Sequence, residues 1–135
     1  MSRASAAGLP STVHAIGDRA VHDVLDALEI VRSEEAKRGE SRASRRHRIE
    51  HVQVIHPNDV HRLAELNVIA SMQPLHATSD MLTADRFWGD RSRLAYNPRV
   101  QLDQGVICAF GSDFLFFPVP HRLQRTLPGC NDIVD

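Results

Sequence analysis

Three side chains with chemistry to offer close short apolar runs in this sequence: His14 after Thr12-Val13, His51 after Arg48-Ile-Glu50, and Asp113 after Val106-Ile-Cys-Ala-Phe-Gly-Ser112. The central run, Arg48-Ile-Glu-His-Val-Gln-Val54, sets β-branched Ile49, Val52 and Val54 among polar residues, and Pro57 ends it. That is the pattern of a strand. Strand alternation groups His51 with Ile49 and Gln53 on one face and turns Glu50 to the other. A histidine, a glutamate and a glutamine within one apolar strand are costly to bury for structure alone. Two imidazoles and a carboxylate at strand ends suit a borderline cation such as Zn²⁺ with one coordination position open. Such an ion lowers the pKa of bound water to roughly 7 and supplies hydroxide at neutral pH. The same pattern also fits histidines that are simply hydrogen-bonded in place.

The elements that must position these groups follow in order. Thr12–Ala15 reads as a short strand, Ile16-Gly17 as a turn and Asp18 as a helix N-cap. Behind it Val21, Val24, Leu25, Leu28 and Val31 recur at offsets of three and four, an amphipathic helix that Gly39 terminates. Glu40–Arg46 is a polar, solvated loop. His56-Pro57-Asn58-Asp59 opens a second helix whose buried stripe is Val60, Leu63, Ala64 and Leu66. Val68–Met72 is a nearly continuous apolar run, as in a strand covered on both faces. Gln73–Ser79 is expected as a loop, Met81–Tyr96 as helix broken near Gly89, and Pro98–Gln104 as a short helix ending at Gly105. Val106–Phe110 is a fourth strand, with Gly111-Ser112-Asp113 at its exit. Alternating strands and helices make this an α/β chain with a parallel sheet. In such folds sites are built at the C-terminal ends of the strands, where His14, His51 and Asp113 fall.

Composition narrows the function classes. The 135 residues suffice for one domain with a core. Hydrophobic content of 42% and a net charge of −1 argue against disorder and against a basic nucleic-acid surface. No apolar run approaches the ~20 residues that cross a bilayer, so no membrane partner is expected. Met1–Ser11 lacks the continuous apolar segment of a secretory signal. Cys108 and Cys130 make no disulfide framework, and a reduced, cytoplasmic protein is the expectation.

The wording of four segments adds a resemblance. His14-Ala-Ile-Gly-Asp-Arg-Ala20, Arg48-Ile-Glu-His-Val-Gln53, Ile69-Ala-Ser-Met-Gln-Pro74 with His76-Ala-Thr-Ser-Asp-Met81, and Phe110-Gly-Ser-Asp-Phe114 resemble, in order and spacing, the metal-dependent amidohydrolase superfamily. They look most like its amidohydrolase family 3 branch, which includes N-substituted formamide deformylases. The resemblance runs from about Gly8 to Phe114. It implies a partial (β/α)8 TIM-type barrel, approximately strands 5 to 8 with their helices, over residues 8–114. Residues 115–135 form an unmatched tail.

By the same resemblance, His14 and His51 are expected as metal ligands ending the fifth and sixth strands. Asp113, ending the eighth, is the expected catalytic acid–base that takes a proton from the attacking water and returns it to the leaving amine. Gln73 and His76 fall near the substrate. The cofactor implied is a divalent metal, zinc before iron or manganese, and the substrate a small molecule with a non-peptide, amide-type C–N bond. A first-strand His-x-His pair is missing, and a full barrel takes about 250 residues. The chain is therefore expected to be a fragment whose partner is a missing N-terminal half or a second copy of itself. Two other readings are a non-catalytic remnant that self-associates and a simple metal-binding module.

The remaining groups carry blander expectations. His22 and His61 should be solvated or packed on helices, and His56 should cap its helix start. His47 and His121 have no evident partner. Glu50 should pair with Arg48 or another strand-end cation. Cys108 should lie among the covering helices as a core thiol.

Overall fold

The protein is described here by a computed structural model covering residues 1–113; Phe114 and the tail 115–135, with His121 and Cys130, lie outside the described residues. Four strands, β1 (Thr12–Ala15), β2 (Arg48–His51), β3 (Ile69–Met72) and β4 (Cys108–Phe110), form one sheet in the order β1-β2-β3-β4. Each neighbouring pair is parallel, with Val13 beside Ile49, Ile49 beside Ala70 and Ala70 beside Cys108. The helices are α1 (Ser2–Ala6), α2 (Asp18–Lys37), α3 (Arg62–Glu65), α4 (Pro74–Trp88) and α5 (Pro98–Asp103). None of them is long and apolar enough to cross a membrane.

The core lies on one face of this sheet. Ala15, Ile49, Ala70 and Met72 pack there against Val21, Leu25 and Leu28 of α2 and against Leu63 and Leu66, with Cys108 and Phe110 partly buried beside them. Burial also pushes the Cys108 thiol pKa up, as a core position requires. The other face carries Thr12, His14, Arg48, Glu50, Ser71 and Ala109, polar or small residues that are exposed or half-buried. Arg48 Nε and Glu50 Oε1 pair on it at 2.5 Å.

Several boundaries differ from the sequence reading. Gly17, not Asp18, is the N-cap of α2, because its φ of 98° makes a turn that glycine enters freely. Asp18 instead accepts from the Arg19 backbone N–H at 3.0 Å and from Arg91 at 3.3 Å. The stretch expected as a loop after β3 is the first turn of α4, for Pro74 fits a helix's opening position. The expected break at Gly89 is present, with φ of 54°, and a 3-10 stretch, Gly89–Leu94, follows it. His56 caps a 3-10 turn, its Nδ1 accepting from the Asn58 backbone N–H at 3.2 Å.

Candidate functional site

His14 belongs to β1 and His51 closes β2, yet the ladder register sets His14 opposite Glu50 and His51 opposite Ala15. In an uninterrupted ladder the two imidazoles would therefore face opposite sides of the sheet. The backbone departs from that pattern at the point where they meet. His51 and Val52 have φ of 74° and 43°, so β2 ends at His51 instead of running on to Val54. The left-handed region costs a non-glycine residue about 1–3 kcal/mol and persists only where the surroundings hold it. Here the turn ends strand alternation, and the His51 ring stands 4.5 Å from the His14 ring, edge to face, at an interplanar angle of 72°.

A third imidazole continues the row. His76, buried in the first turn of α4, stacks on His51 with centroids 5.8 Å apart and planes 16° from parallel. Beyond it, Asp113 Oδ2 lies 3.8 Å from His76 Nε2, within ion-pair reach of a protonated ring. Asp113 also has a left-handed backbone, with φ of 53°. Gln73 sits at the N-cap of α4, and its amide donates to the Ser71 carbonyl at 3.4 Å.

The electrostatics favour a neutral His51. Burial lowers its pKa first and the neighbouring His14 lowers it further, while Gln73 and the Asp113 carboxylate act in the opposite sense. A neutral imidazole is the form that ligates metal. Nδ1 of His51 is buried, and the Gln73 side chain is the hydrogen-bonding group that acts on this ring. Adjacent imidazoles are donors of the kind that a borderline cation takes. Among the described residues, no group of three or more His, Cys, Asp or Glu is spaced to enclose an ion.

One polar cluster goes beyond the sequence reading, which marks Gln53 only as a polar residue in an apolar strand and gives it no partner. Gln53, nearly buried, donates through its side-chain amide to the Tyr96 hydroxyl, which donates to Asp80 Oδ2 at 3.1 Å. Together with His51, Gln73 and His76, Gln53 and Tyr96 line a narrow cleft. Tyr96 stands in a connection, and Asp80 lies on α4 with no periodic pattern to mark it. Imidazoles, amides and a phenol line this cleft, with the Asp80 carboxylate behind the phenol, and such groups can orient a polar ligand and move a proton.

Comparison with known proteins agrees with the motifs. The model of the Amidohydrolase family matches residues 1–123. Putative amidohydrolase YtcJ of Bacillus subtilis (strain 168) is 34% identical over 113 residues, which are 83% of this chain and 20% of that protein. Protein LONG AFTER FAR-RED 3 of Arabidopsis thaliana is 33% identical over 113 residues, 82% of this chain and 18% of the relative. The chain therefore spans about a fifth of the length of these relatives. Among solved structures, an uncharacterized metal-dependent hydrolase from Pyrococcus furiosus superposes with a TM-score of 0.68 at 32% identity, over 86% of this chain and 22% of that one. Another from Pyrococcus horikoshii OT3 gives 0.69 at 26% identity, over 86% and 21%. With its motifs, its parallel βα order and these matches in accord, the chain belongs to the amidohydrolase family, in the family 3 branch.

Proposed function

We propose that this chain carries a metal-binding and proton-transfer part of a hydrolase that cleaves a non-peptide, amide-type C–N bond in a small molecule. The observation that carries this reading is the His14–His51 pair, rings 4.5 Å apart on neighbouring strands, with Nδ1 of His51 buried. His14 and His51 would hold a divalent ion, with zinc favoured because it accepts paired imidazoles and leaves room for water. When bound, the ion supplies Lewis acidity and lowers the pKa of a water to roughly 7. Asp113 takes the proton of the attacking water and returns it to the departing nitrogen. Gln73 and His76 line the cleft and contact the substrate's polar groups.

The consecutive order of four parallel strands supports a partial (β/α)8 barrel, equivalent to its last four strands. The remaining ligands and cleft walls then come from another half-barrel, part of a longer chain or of a second copy. The test is a Zn²⁺ titration of the dialysed protein followed by assay of amine release from simple N-formyl and N-acyl amines. Turnover that disappears in both His51→Ala and Asp113→Asn, with zinc still held by Asp113→Asn, is the expected result. Zinc held without turnover would indicate a metal-binding module, and no stoichiometric zinc a remnant.

A further inference from the structure

Three non-glycine residues with left-handed backbones meet at one corner of the molecule. His51 and Val52 lie at the exit of β2, and Tyr96, with φ of 50°, lies just before α5. Tyr96 donates its backbone N–H to the Gln53 carbonyl at 2.8 Å, and Val54 pairs with Ala95 in an antiparallel bridge. Residues 95–96 are thus fastened to the chain directly after the left-handed pair. The side chains repeat the link: Gln53 donates to the Tyr96 hydroxyl, and that hydroxyl donates to Asp80. Trp88 stacks on the phenol ring with centroids 5.9 Å apart. Asp80 and Trp88 both belong to α4, the helix whose His76 stacks on His51.

We propose that Tyr96, seated on Asp80, is a positioning residue for His51, clamping the chain after β2 so that the His51 ring stays beside His14. β-branched Val52 resists a positive φ, so the turn relaxes unless a neighbour fixes it. Gln53 is the first residue past that turn, and Tyr96 binds both its carbonyl and its side chain. On release, an extended backbone at residues 51–52 would restore alternation and turn the His51 ring towards the face of Ile49. The inference rests on the reading of His14 and His51 as a cation-binding pair, but the clamp is measurable without the cation.

The test uses the whole 135-residue chain with isotope-labelled histidines. Cross-relaxation between the His14 and His51 rings reports their proximity, and the buried His47 ring serves as a control for overall packing. In Tyr96→Phe, which keeps the ring and loses the hydroxyl, the His14–His51 cross-peaks should vanish while His47 signals stay in place. The apparent Kd for Zn²⁺ should then rise about tenfold, as for other residues that support a ligand from behind. Unchanged cross-peaks in a folded Tyr96→Phe protein overturn the proposal. Should that variant not fold, Asp80→Asn decides, since it leaves the tyrosine and its stacking intact; unchanged cross-peaks there overturn the clamp as well. Native cross-peaks that collapse in either variant, in a protein that takes up no zinc, would support the clamp and defeat the metal reading alone.

Discussion

The Nε2 of His47 lies 2.9 Å from Oε1 of Glu35, and both side chains are fully buried. His47 Nδ1 accepts the Ser11 backbone N–H at 2.9 Å, so the ring proton is on Nε2 and is donated to Glu35. Glu35 also accepts from the Ser5 hydroxyl at 2.5 Å and from Arg32 at 2.7 Å. Arg32 in turn donates to the carbonyls of Leu66 and Asn67, each at 2.8 Å. One carboxylate therefore links α1, α2 and the chain entering β2, at the opposite end of β2 from His51.

Replacing Glu35 should expose how much the fold depends on this link. In Glu35→Gln the Arg32 charge is left buried without its partner, a loss of about 3–5 kcal/mol for a broken buried pair. Burial alone would raise the Glu35 pKa, but the bonds from Ser5, His47 and Arg32 outweigh it and bring it to about 2. A folded value below the unfolded one means that the contribution is complete above pH 4.5 and is lost as pH falls towards 2. Urea unfolding should show that acid decline in the native protein and a flatter pH response in Glu35→Gln. Equal slopes in the two proteins would sink this account.

The sequence shows much of the fold and little of this network. Strand positions and the α2 stripe were readable because apolar spacing reports burial directly. His14, His51 and Asp113 could be placed at strand ends for the same reason. Glu35, however, stands in a run of charged residues whose pattern resembles a solvated face, and His47 lies next to a basic loop. Their pairing depends on tertiary contacts across 12 residues, which local patterning does not encode. His22 is similar: it stands half-exposed on α2, and its bond to the buried Asp59 at 3.0 Å spans 37 residues. The turn at His51–Val52 was hidden for another reason. Neither residue is glycine, so nothing in the sequence marks the positive φ that separates His51 from its expected face.

His51 should titrate below the ordinary histidine value of 6.5, because burial and His14 both disfavour its charged form. Histidine NMR should place its midpoint there, and His14→Ala should move the midpoint upward by removing the second of those causes. The sign for stability follows. As pH falls through 6.5 the unfolded chain takes up this proton before the folded chain does, so the folded state loses stability below that pH. A His51 midpoint at or above 6.5 in the native protein would contradict the burial and contacts described.

Tyr96 is the sole tyrosine of the chain, which makes its ionisation directly visible in ultraviolet absorbance. Burial pushes its pKa up to about 12, and the Asp80 carboxylate adds to the rise, both by receiving the hydroxyl proton and by repelling the phenolate, while Gln53 opposes it. The absorbance midpoint should therefore stand well above the ordinary value of 10.0, provided that the protein is still folded. Asp80→Asn should lower it without bringing it fully back, since burial, the larger cause, remains. Because the unfolded phenol ionises near 10, the folded state is progressively disfavoured as pH rises from 10 towards 12. Unfolding monitored through Trp88 should accordingly show stability falling across that interval, with a weaker fall in Asp80→Asn. A midpoint of 10 in a folded native protein would mean that the Tyr96 hydroxyl is exposed to water and not held against Asp80.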